Sequence, residues 1–112
     1  MSRKLATWAG KSCFEYDGCV EAGTVIRFGE NCRYRQCVTR EQYAHLLRHF
    51  GGSTVDIGTS RDNPPEGSVG EWLQAHVCKT AIASYVGAIL VAERYARRVH
   101  GSKIQFTRRE VS

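Results

Sequence analysis

The sequence predicts an α+β fold: N-terminal antiparallel hairpins form a small sheet packed on three helices, and a short strand closes the chain. Three observations lead there. The first forty residues alternate in polarity and are punctuated by glycine. Two Thr/Ser-x-x-Gln/Glu signatures, at Thr39 and Ser68, each open a helical periodicity. An alternating run, Lys103-Ile-Gln-Phe-Thr107, follows the last helical stretch. At 112 residues, 42% apolar and 24% charged, the chain holds one domain, residues 1–112, and is neither disordered nor fibrous in composition.

Leu5–Trp8 and Ser12–Tyr16, joined by Ala9-Gly10-Lys11, read as a hairpin. Asp17-Gly18 reads as the next turn, Thr24–Phe28 as a third strand, and Gly29-Glu30-Asn31 as a turn into Cys32–Val38. Thr39-Arg-Glu-Gln42 is a capping box for a helix running to Phe50, with Tyr43, Leu46, Leu47 and Phe50 inward and Gly51-Gly52 as its stop. Ser53–Ile57 is a short β-branched strand. A ten-residue loop, Gly58–Gly67, leads to Ser68-Val-Gly-Glu71, so a second helix begins at Val69 with Val69, Trp72, Leu73 and Val77 inward. The helical pattern then continues to Val99. One helix of about thirty residues would be far above the usual length, so a break near Cys78-Lys79-Thr80 is expected, with Thr80 capping a third helix. Gly101 is its expected stop. Between Ala81 and Ala92 this helix is apolar on nearly all sides, and Ala88, Ala92 and Ala96 form a small-residue stripe that another element can approach.

The longest uncharged stretch, Thr80 to Ala92, is thirteen residues and too short to cross a bilayer. Residues 1–11 lack the apolar centre of an export signal. The expectation is a cytoplasmic protein with no membrane partner. Its five cysteines, Cys13, Cys19, Cys32, Cys37 and Cys78, are then free thiols, and only Cys32 and Cys37 have the spacing of a zinc-ligand pair. His45 and His49 lie one turn apart, but His-Leu-Leu-Arg-His lacks the glutamate of a zinc hydrolase and sets Arg48 beside them. They read as solvated helix histidines. No Gly-x-Ser-x-Gly or nucleophilic cysteine motif is present, so no catalytic residue and no cofactor are assigned.

Two binding readings remain. The net charge of +5 is uneven: residues 1–40 carry seven basic and four acidic groups, 41–92 three and five, and 93–112 six and two. A basic surface attracts phosphate through counterion release. The first reading is therefore a non-enzymatic protein contacting nucleic-acid phosphates through Arg94, Arg97, Arg98, Lys103, Arg108 and Arg109. The second uses the Gly58–Gly67 loop at a helix N-terminus, where amides and the helix dipole favour an anion; Thr59, Ser60, Arg61 and Ser68 would supply the contacts to a small anionic ligand. A third possibility is a module that forms a homodimer through the apolar helix or a strand edge.

From residue 40 the expected order resembles a winged helix-turn-helix, with Thr39–Phe50, Ser53–Ile57, Val69–Val77, Thr80–Val99 and Lys103–Thr107 in its places. The resemblance implies a recognition helix starting at Lys79-Thr80 with Ser84 outward. The sequence departs from the pattern in three ways: Ala81–Ala92 offers a groove almost no polar side chain, no clear second wing strand follows Thr107, and the N-terminal hairpins lie outside such a module. Separately, Gly58–Leu73 and Thr80–Gly87 resemble short proteins of bacterial accessory genomes, the sort carried on mobile elements. That likeness implies a bacterial setting and carries no mechanism.

Overall fold

The computed structural model describes residues 2–107. Among the described residues the fold is α+β, with two antiparallel sheets and three α-helices. The first sheet is a meander of β1 (Arg3–Ala6), β2 (Cys13–Cys19), β3 (Gly23–Phe28) and β4 (Tyr34–Val38), in chain order. The expected Asp17-Gly18 turn is instead part of β2, because pairing with β3 continues to Cys19 opposite Gly23. The chain reverses one step later, where the Ala22 amide bonds the Cys19 carbonyl at 3.1 Å. Phe14, Tyr16, Thr24, Ile26 and Val38 are buried on the inner face.

Helix α1 (Arg40–Phe50) is capped as expected. Thr39 Oγ1 accepts from the Gln42 amide at 3.1 Å, and Gln42 Oε1 accepts from the Thr39 amide at 2.9 Å. Its buried residues are the four expected, Tyr43, Leu46, Leu47 and Phe50. Strand β5 (Thr54–Asp56) and the 57–68 loop lead to α2 (Val69–His76), capped by Ser68 Oγ.

The chain does break between α2 and the third helix, α3 (Ala83–Ala92), but Thr80 is not the cap. The cap position falls on Ile82, which has no side-chain cap bond. The larger correction is at the other end. The expected helix to Val99 stops at Ala92, and β6 (Ala96–Arg98) follows. Arg94 takes the left-handed conformation (φ 69°), its amide bonds Val91 O at 3.1 Å, and the Tyr95 amide bonds Leu90 O at 2.8 Å. This pair of bonds is a Schellman stop, a role usually filled by glycine, so no local residue type announced it. Tyr95 is buried and donates from its hydroxyl to Glu21 Oε1 at 2.8 Å, which holds the reversal in place.

Strands β6 and β7 (Lys103–Phe106) form a hairpin, and β7 also pairs with β5, giving a second sheet of order β5-β7-β6. β6 arises from residues expected to be helical, and the position after Thr107, where no second wing strand is expected, lies outside the described residues. The two sheets and the helices share one core. Gly87 lets α3 press against both halves: a Cβ there would lie 2.6 Å from Ile57 Cδ1 and 3.0 Å from Trp8 Cε3. Tyr85 packs its ring 5.1 Å from Phe14 and 4.7 Å from Phe28, so the first sheet covers α3.

Candidate nucleic-acid interface

The β6–β7 hairpin carries three of the six C-terminal basic residues, Arg97, Arg98 and Lys103. On β7, Ile104 and Phe106 are buried, so alternation turns Lys103 and Gln105 outward. Arg97 is the cross-strand partner of Gln105 and bonds Gln105 Oε1 through Nε at 2.6 Å, which places it on that same outer face. Lys103 Nζ lies 3.1 Å from Asp56 Oδ1 on the neighbouring strand. Arg94 sits exposed at the base of the hairpin, before β6 begins. Arg97, Lys103 and Arg94 therefore border one exposed ribbon.

Arg98 is set apart from this group. It follows Arg97 in the strand, and its guanidinium lies over the Trp8 ring, 4.3 Å from the centroid, with Nη1 donating to Trp8 O at 2.6 Å. Trp8 Nε1 in turn donates to Gly101 O at 3.0 Å in the hairpin tip. The structure thus divides the six basic residues expected to act together. Arg94, Arg97 and Lys103 border the outer ribbon, Arg98 joins the hairpin to the N-terminal sheet, and Arg108 and Arg109 lie outside the described residues. Trp8 was not legible as a partner because ninety-odd residues separate it from the groups it touches.

The start of the expected recognition helix is covered by the N-terminal sheet. The first turns of α3 are covered: the Trp8 amide donates to Ser84 O at 3.0 Å, and Tyr85 is held between Phe14 and Phe28. Ser84 is half-buried.

At the start of α2 three backbone amides, those of Gly67, Gly70 and Glu71, already have partners. The Gly70 amide bonds Ile57 O at 2.9 Å, the Glu71 amide bonds Ser68 Oγ at 3.1 Å, and Glu71 Oε1 accepts from the Gly67 amide at 2.9 Å. Glu71 supplies its own negative charge to the helix terminus. Ser68 is buried, whereas Thr59, Ser60 and Arg61 are exposed. Ser60 Oγ accepts from the Asn63 amide at 3.1 Å, and Arg61 contributes its carbonyl to Gln74 at 3.0 Å.

The histidines gather more than sequence spacing showed. His76 stacks on Trp72 with ring centroids 4.5 Å apart, and His45 meets both Trp72, at 5.1 Å, and His76, at 5.4 Å. His49 packs on Phe50 at 4.6 Å. Aromatic packing, rather than solvation alone, explains their placement. Among the described residues, no three His, Cys, Asp or Glu side chains are arranged to hold a metal ion. All five cysteines are free thiols, and burial raises the Cys78 thiol above its ordinary range.

A second polar cluster ties the N-terminal sheet to the end of α3. Glu93 accepts from Tyr16 OH at 2.8 Å and from the Val20 amide at 2.9 Å, and Arg3 Nη1 donates to Tyr16 OH at 3.4 Å. Burial, followed by the Glu93 contact, raises the Tyr16 phenol above its usual range. Beside it, Thr24 and Tyr43 share a hydrogen bond of 2.7 Å, and burial holds the Tyr43 phenol un-ionised far into alkali. These groups dock one element on another.

No family model, curated protein or solved structure matches the chain. No described helix is long and apolar enough to cross a membrane.

Proposed function

We propose that the protein is a non-enzymatic nucleic-acid-binding protein that contacts phosphates through the outer ribbon of β6 and β7. The observation that supports this reading is the juxtaposition of Arg97 and Lys103 on one exposed sheet face, with Arg94 at its base. A two-stranded ribbon presenting guanidinium and ammonium groups suits backbone phosphate, which is read by charge and position. Because the first sheet covers α3, base-edge readout by that helix is not part of the proposal. Arg108 and Arg109, which follow β7 in the sequence, would extend the basic stretch. Lys103 would exchange its Asp56 partner for phosphate, so it contributes less than Arg97. The bacterial mobile-element setting implied by the sequence resemblance belongs to the same proposal.

The test is anisotropy titration of a labelled duplex and a labelled single strand at two salt concentrations. Binding should fall steeply with salt, and the double variant Arg97→Ala/Lys103→Ala should lower the slope of log K against log salt by about 2. An unchanged slope and affinity in that variant, or no binding at low salt, would remove the reading. Arg98 is left intact in this experiment because its loss would also loosen Trp8.

A further inference from the structure

A groove of about 300 Å³ runs between β1 and α3, separate from the outer face of the hairpin. Leu5 and Trp8 form one wall, and Ala88, Val91 and Ala92 the other. The alanine stripe marked in the sequence is the reason it exists. Strand β1 approaches α3 there, but the methyl side chains of Ala88 and Ala92 leave the space between them unfilled. Among the described residues, Arg98, at the edge of the groove, is the one charged residue that lines it.

The geometry of Arg98 is that of a prepared anion partner. Its guanidinium is fixed from two directions, by the stack over Trp8 at 4.3 Å and by the bond from Nη1 to Trp8 O at 2.6 Å. Among the described residues no carboxylate pairs with it. A guanidinium carries five N–H donors, and the carbonyl bond uses only Nη1, so donors remain for a planar anion. An apolar trough with one fixed cation and, among the described residues, no acid complements a molecule that has one carboxylate and an apolar tail. We propose that this groove binds a small apolar monocarboxylate of the medium-chain fatty-acid class. Its carboxylate bonds Arg98, and its alkyl chain lies in the trough between Leu5 and the Ala88, Val91 and Ala92 side of α3.

The experiment is isothermal titration of the full chain with decanoate below its micellar range, with decanol as the uncharged comparison. Decanoate should saturate one site and bind roughly tenfold or more tighter than decanol, the difference being the charge-assisted bond to Arg98. Arg98→Met keeps a stem that packs on Trp8 and should erase the preference for the acid. Ala92→Leu, at an exposed position, should fill the groove and weaken both ligands, with an unchanged urea midpoint showing that the fold is intact. Equal affinity for acid and alcohol in the unaltered protein, absence of saturable binding, or full decanoate affinity in Ala92→Leu would each overturn the proposal. So would tighter binding of an amidated alternating Val-Thr peptide, which would mean that the open edge of β1 captures strands instead. Neither variant alters Arg97 or Lys103, so failure here leaves the phosphate reading standing.

Discussion

Substituting Gly70 by alanine should destabilise the protein strongly, even though alanine is the better helix former. A Cβ at this position would lie 1.7 Å from Gly58 O and 2.8 Å from Gly58 C. Both are backbone atoms, so no side chain can swing aside. To restore ordinary contact α2 must move by more than an ångström, and the bond from the Gly70 amide to Ile57 O at 2.9 Å would be lost with that movement. Forced overpacking costs about 1–3 kcal/mol and the lost bond about 1 kcal/mol, while alanine's helix propensity returns about 1 kcal/mol. The net is a loss of roughly 1–3 kcal/mol, or a Tm lower by on the order of 4–20 °C in a domain of this size. Gly67→Ala is the internal control. Gly67 has φ 79° with nothing within 4 Å of an added Cβ, so only the left-handed backbone penalty of about 1 kcal/mol applies. Urea denaturation of both variants with an unchanged m value measures the two costs directly. If Gly70→Ala were no less stable than Gly67→Ala, the close approach of α2 to the 57–58 segment, and with it the internal use of the helix amides, would be refuted.

Thr39→Ala should cost about 1 kcal/mol in urea denaturation by removing the side-chain acceptor of the α1 capping box, and an unchanged midpoint would contradict that bond. Tyr16→Phe removes the hydroxyl that donates to Glu93 and should cost about 1.5–3 kcal/mol, because a carboxylate loses one of its donors. Burial raises the phenols of Tyr43, Tyr16 and Tyr85 in the folded state, so the unfolded chain releases those protons first. Their contribution is therefore complete below the unfolded tyrosine pKa of about 10 and is lost as pH rises through the folded values. Absorbance at the phenolate band should rise in step with alkaline unfolding; early, non-cooperative titration of all tyrosines would argue against the burial of Tyr43. Arg61→Ala should leave thermal stability within about 0.5 kcal/mol and leave any effect of added phosphate unchanged, since the Gly70 and Glu71 amides are already bonded; a phosphate-dependent Tm shift lost in the variant would instead support an anion site in that loop.

Local chemistry alone determined much of this molecule. The Thr39 box, the Ser68 cap, the inward face of α1 and the alternation of β2, β3 and β7 are all written in residues within a few positions of one another. Such signals are readable because a cap or a pleat needs only near neighbours. Tertiary structure decided the rest. The stop at Ala92 rests on Arg94 in a left-handed conformation and on Tyr95 buried against the core, where a sequence reader expects glycine. That one reversal turned Arg97 and Arg98 from a helix end into a strand, and strand alternation separated them. Arg98 then found Trp8, and His76 found Trp72 and His45, through contacts set only once the elements had packed. Backbone propensity is a local quantity, whereas the assignment of a charged side chain to an outer face, an aromatic ring or a groove depends on what the rest of the chain brings beside it.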